Sequence, residues 1–141
     1  MKRPDQRGIT MVELMVAMVL MAIALLALAA SFPYALYGVM LGGFQTTATF
    51  LAQEAIERTR AAEYGSIASL AFDGSSGTLP SDCSSSSSLR TVPGFSSFLR
   101  CVSVQIGVPS ATTTTITAVV QFAGPTEGQP WRTTLTTIRT N

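Results

Sequence analysis

The sequence contains no histidine, only two cysteines and little charge: Asp, Glu, Lys and Arg make up 12% of its 141 residues. Without histidine, the usual general base and the commonest metal ligand are both missing. The serine run therefore has no base to activate it, and no close carboxylate pair stands beside a candidate nucleophile, so the chain does not read as an enzyme. Glu54 and Glu57 lie one helical turn apart and read as a solvated helix face. Asp73 and Asp82 are the acidic residues of a loop, but no dense run of oxygen ligands surrounds them, so no metal or cofactor site is expected. The formal net charge is +1 and the arginines are scattered, so no basic face exists for nucleic acid.

What the chain has in excess is apolar side chains, 47% of the total. The excess is local. Residues 9–44 carry most of it, and the remainder is polar and rich in Ser and Thr. From Leu14 to Ala30 every residue is apolar, as in a membrane helix, and no charge falls between Glu13 and Glu54. Lys2, Arg3 and Arg7 precede this run, a topology signal that keeps the N-terminus cytoplasmic and sends the C-terminus outward. Glu13 is the anomaly, because a carboxylate at the centre of a membrane helix costs about 2.5–3.5 kcal/mol on insertion scales. Two plain readings compete. One is a secretory signal peptide, with Ala27-Leu28-Ala29 as a small-x-small cleavage site and a soluble β domain as product. The other is a single-pass anchor carrying that domain. Neither gives Glu13 a purpose, and a signal peptide also leaves the amphipathic helix that follows without one.

Residues 9–64 read as one long helix, its first part (about 9–32) transmembrane and its second half amphipathic. Pro33, Gly38, Gly42 and Gly43 mark where it is expected to kink or melt. Beyond them Phe44, Ala48, Leu51, Ala55 and Ala62 share a helical face with Ile56 beside it, and Glu54 and Arg58 form an i,i+4 pair. Tyr64-Gly65 reads as a helix stop with Gly as the cap. Residues 65–96 are rich in Gly, Pro, Asp and Ser and read as a loop, with a five-serine run at 84–88. Over 97–141 the period changes to two: Val102, Val104 and Ile106 share a face, as do Ile116, Ala118, Val120 and Phe122, and a third strand follows a turn-forming stretch. Tyr64 and Trp131 read as core or cap residues. The pattern predicts an α+β chain in which the amphipathic half of the helix covers a small antiparallel sheet. In an exported domain Cys101, on the far face of the first strand, is expected to tie down the loop through Cys83; two free thiols are the alternative.

The stretch Gly8-Ile9-Thr10-Met11-Val12-Glu13-Leu14, with basic residues before it and an apolar run after it, resembles the signal of type IV prepilins. Bacterial type IV pilins and type II secretion pseudopilins share that signal. Ile9 replaces the usual Phe, and Met11 is a further departure; both keep the apolar character. The resemblance implies a pilin fold and a prepilin leader at residues 1–8, removed by prepilin peptidase between Gly8 and Ile9, with methylation of the new Ile9 amine. It implies a subunit held in inner-membrane lipid, then moved by an assembly platform into a cell-surface or periplasmic filament of other pilin or pseudopilin subunits. Glu13 would there face the N-terminal amine of a neighbouring subunit and set the register of assembly. The segment LAQEAIERTRAAEY at 51–64, and the ending AVVQF, turn, RTTLTTIRT, are similar to PilV-like minor pilins and I-type pseudopilins. A minor pilin is the function this implies, with a type II secretion minor pseudopilin as the alternative.

Overall fold

The computed structural model describes residues 9–73, 78–124 and 130–140. Residues 1–8, where the sequence reading expects a leader ending at Gly8, lie outside the described residues. By its internal contacts the chain divides into two units, one up to Val39 and one from Met40 onward.

Helix α1 runs Met11–Ala61 and is continuous through Pro33, Gly38, Gly42 and Gly43, where the sequence suggests a kink or melting. Just beyond the glycines three hydroxyls bond back onto the helix: Thr46, Thr47 and Thr49 donate to the carbonyls of Gly42, Gly43 and Gln45 at 2.8, 3.0 and 2.9 Å. In the first unit the apolar side chains of α1 are exposed on all sides; the most apolar 18-residue window has a mean hydropathy of 2.6 and is 0% buried. By length and composition this helix is able to cross a membrane.

The second unit is a helix-on-sheet sandwich. A four-stranded antiparallel meander is built from β1 (Arg90–Val92), β2 (Phe95–Ile106), β3 (Thr113–Phe122) and β4 (Trp131–Thr140), in spatial order β1-β2-β3-β4. The inward faces of β2 and β3 present Phe98, Val102, Val104, Ile116, Ala118, Val120 and Phe122 to the Ala48, Leu51, Ala52, Ala55 and Ile56 stripe of α1. Phe44 closes one end of this core, 6.0 Å from the Phe98 ring and 5.9 Å from that of Phe122.

Several details differ from the sequence reading. The helix ends at Ala61, and Tyr64–Ser69 forms a separate 3₁₀ helix with Gly65 inside it rather than capping α1. The terminal carbonyls are capped from the sheet instead: Arg139 on β4 donates to the carbonyls of Arg60 and Ala62 at 3.0 and 2.7 Å. The turn brings Ile67 into the core, 1% exposed. The region 65–96 contains a strand, β1, joined to β2 through Pro93-Gly94, with Gly94 at a φ of +82° that suits a residue without Cβ. Ile106, expected inside, is 57% exposed, because it ends the β2 ladder where no described element covers it. Trp131 is 38% exposed and lies over Gly124 rather than in the core. The side chain of Tyr64 lies outside the described residues.

The loop before β1 crosses from one side of the sheet to the other. Leu79 joins the inner core, the Val104 N–H donates to the Pro80 carbonyl at 3.2 Å, and Cys83 sits on the outer face with Leu89, Cys101 and Val119. The β2 edge beyond β1 is thereby covered.

Candidate functional site

At the start of α1 the main chain is organised by Thr10. Its hydroxyl accepts a hydrogen bond from the Glu13 N–H at 3.3 Å and its carbonyl accepts one from the Leu14 N–H at 3.1 Å. Thr10 is thus the N-cap and Glu13 stands three positions on, the T-x-x-E arrangement of a capping box. A carboxylate in the first turn also faces the positive end of the helix macrodipole. Part of the answer to the Glu13 anomaly is local: the residue lies in the one turn of an apolar helix where a negative charge helps the backbone. Ile9 precedes the helix and is exposed. The sequence reading singled out Glu13 but gave Thr10 no structural role, although the T-x-x-E spacing was there to be read.

Cys83 and Cys101 are bonded, with an S–S distance of 2.01 Å and a Cα–Cα separation of 5.8 Å. The bond fastens the serine loop to the outer face of β2. Arg132 of β4 strengthens the same corner by donating to the Cys83 carbonyl at 2.9 Å. In the loop, Asp82 accepts hydrogen bonds from the Ser84 N–H and hydroxyl at 3.0 and 2.7 Å. The backbone bond and then the hydroxyl bond hold the Asp82 carboxyl below its ordinary value of 3.8.

One residue back from Cys101, and on the opposite face, lies a centre that sequence reading missed. Arg100 is 2% exposed. It donates to both carboxylate oxygens of Asp73 at 2.8 and 2.6 Å, to Glu54 at 3.0 Å and to the Leu51 carbonyl at 2.9 Å, and it lies 5.7 Å from the centre of the Phe72 ring. Burial alone would lower its pKa; the hydrogen bonds and charges of Asp73 and Glu54 outweigh that and hold it above the ordinary value. Asp73, with a φ of 51°, is engaged in this contact. Glu54 is only partly a solvated helix residue: it pairs with Arg58 at 3.4 Å, the expected i,i+4 pair, and also reaches Arg100. The signal was the strand parity, which puts Arg100 on the inward face with Phe98, Val102 and Val104.

These arrangements bind parts of the chain to one another. Among the described residues no group of three or more His, Cys, Asp or Glu side chains is placed to hold a metal. The serine run is tied up internally, Ser85 sharing hydrogen bonds with Ser87 and Ser88. The chemistry-bearing feature is the N-terminal segment. There the family described as the prokaryotic N-terminal methylation motif matches residues 3–29. No curated protein and no solved structure matches the chain.

Proposed function

We propose that this chain, whose N-terminal motif supports the type IV pilin and pseudopilin family, is a minor pilin: a structural subunit, cut by prepilin peptidase and assembled into a filament outside the inner membrane. The observation that carries the proposal is the conjunction at the N-terminus. The prepilin-like stretch Gly8–Leu14 leads directly into the apolar first part of α1, whose most apolar stretch is exposed. Such a surface requires another apolar environment, first lipid and then the helices of neighbouring subunits. The α+β unit behind it, held by a disulfide, suits export. Support for the minor-pilin assignment is the LAQEAIERTR segment, whose Glu54 helps to hold Arg100.

In this reading the peptidase cuts between Gly8 and Ile9 on the cytoplasmic side, and the new Ile9 amine is methylated. Glu13 then serves twice. Within the subunit it belongs to the first turn of α1. Between subunits its carboxylate faces the positive amine of a neighbour in a dry core, where a wrong stagger leaves a buried charge without compensation. It thus fixes register as a polar residue does in a coiled-coil core.

The test is the mass of the N-terminal peptide from membranes. The reading expects N-methylated Ile9 as the first residue and an uncut chain for Gly8→Glu. A wild-type chain beginning near Ala30 would instead show a secretory signal, and an intact Met1 in peptidase-positive cells a plain anchor. Glu13→Val separates processing from assembly: the variant should insert and be cut, then fail at incorporation. Losing one partner of a buried pair costs about 3–5 kcal/mol, a hundredfold or more in an association constant. A ratio of sheared to membrane-bound subunit equal to wild type would remove the register role.

A further inference from the structure

Strand direction distinguishes the two ends of the second unit. Phe98, near the start of β2, meets Phe44, and Arg139, at the close of β4, meets the last carbonyls of α1. Strands β2 and β4 therefore run in the same sense as the part of α1 they pack on, and both begin at the Phe44 end. Two exposed apolar features lie at that end, on opposite edges of the sheet. At the β1 edge, Phe50 of α1 and Pro93 and Phe95 of the β1–β2 turn help to line a groove of about 420 Å³, with Glu54 and Arg58 also on its wall. Phe50 is 61% exposed and Phe95 41%, and residues 91–99 carry no charge. At the β4 edge stands Trp131, partly exposed and paired with Phe122, which puts its indole on the helix side of the sheet.

Two copies inserted in one membrane with the same topology have α1 pointing the same way. Placed side by side in that orientation, with their helix layers on the same side, the β4 edge of one adjoins the β1 edge of the other. Trp131 and the groove then meet: both lie at the Phe44 end, and the groove, between α1 and the β1–β2 turn, is on the helix side as the indole is. The groove is large enough to take an indole. Its phenylalanines offer ring contacts, and the exposed Arg58 guanidinium can lie on the indole face. A tryptophan seated in an apolar pocket is the usual anchor of a protein interface.

We propose that Trp131 of one copy of this chain seats in the Phe50–Pro93–Phe95 groove of the next. The contact joins two different patches, so it is head-to-tail and propagates, as a growing filament requires. The proposal rests on the reading of this chain as a membrane-inserted subunit that assembles, and deepens it by naming the contact.

Crosslinking of the full chain in membranes tests this. The two native cysteines are bonded, so an introduced thiol is the sole maleimide target. Thr133→Cys, two residues from Trp131 on the same face, and Pro93→Cys, on the groove wall, leave the indole and both phenylalanines in place. With a short bis-maleimide each should give little dimer alone, because the two positions lie on opposite edges. Co-expressed, they should give at least tenfold more dimer and nothing larger; combined in one chain, they should give a ladder of oligomers. Trp131→Ala or Phe50→Asp, added to the co-expressed pair, should cut the dimer at least tenfold. Thr133→Cys with Ile106→Cys, at the far end of β2, should give little. Retention of the Cys83–Cys101 bond by mass shows that each variant folds. Pro93→Cys chains that dimerise as well alone as in the mixture, a mixed dimer indifferent to Trp131→Ala, or Pro93→Cys chains that crosslink to another envelope protein in place of Thr133→Cys would each overturn the contact. The N-terminal peptide from the same membranes separates the two readings: folded chains that start at methylated Ile9 and give no mixed dimer overturn the contact and leave the subunit reading standing.

Discussion

At the residue scale the second unit depends most on Arg100. Its guanidinium, itself buried, joins a strand, a helix carbonyl and carboxylates from both helix and loop. Removing one partner from such a centre strands the others, so Arg100→Ala is expected to cost about 3–5 kcal/mol in chemical denaturation. Arg100→Lys should recover only part, because an ammonium cannot reproduce the planar fork on Asp73. Asp73→Asn keeps a side chain that tolerates positive φ and loses only the charge, so its cost should be smaller, about 1.5–3 kcal/mol. A ranking with Asp73→Asn the most damaging would show that the loop backbone matters more than the charge. Asp82 offers a pH test. Its folded pKa is depressed, so its contribution is present above the ordinary Asp value and is lost as pH falls through the lower folded value. A carboxyl titration followed by NMR should place the Asp82 midpoint below 3.8, and Ser84→Ala should raise it by removing the hydroxyl bond.

Elements are fastened to one another by polar contacts between them as much as by the core. Arg139 of β4 caps α1, Arg100 of β2 holds the Asp73 loop, and the disulfide holds the serine loop to the outer face. Cys101→Ser should destabilise the second unit by about 2–5 kcal/mol, read as a lower denaturation midpoint, with leader cleavage unaffected. Gly124→Ala tests the β3–β4 connection. A Cβ there collides with the Trp131 indole, so the ring must move and its fluorescence should shift toward that of a more exposed Trp. An unchanged spectrum would mean that the backbone yields instead. Much of this scale was open to sequence reading. The apolar stripe of α1 and the alternation of β2 and β3 predicted which residues meet. Strand β1 was missed although Pro93-Gly94 is a turn signal, because three residues are too few to show a period.

For the whole molecule, the division near Val39 separates a segment whose aliphatic side chains are exposed from a unit with its own core. A chain beginning at Met40 keeps Leu41 and Phe44, which pack on that core, and sheds the apolar helix. It is expected to be soluble and to unfold in one cooperative transition by circular dichroism, with a lower midpoint in reductant. A truncated chain lacking a cooperative transition would show that the second unit needs the membrane segment to fold.

Sequence alone determined the membrane-competent run, the prepilin-like motif, the amphipathic face and the inward apolar residues of β2 and β3 apart from Ile106. Each of these is written in local periodicity or in residue types at fixed spacing, and a period survives whatever the chain later packs against. Tertiary structure decided what depends on residues far apart meeting. The sequence permitted the Cys83–Cys101 bond but also two free thiols, and only the folding of the loop over the sheet edge brings the sulfurs together. The end of α1 at Ala61 is capped by an arginine from the last strand, at a separation no local pattern records. Arg100 is buried because Asp73, 27 positions earlier, and Glu54, 46 positions earlier, arrive to neutralise it. In the sequence it is one more arginine, and only the converging carboxylates make its burial affordable.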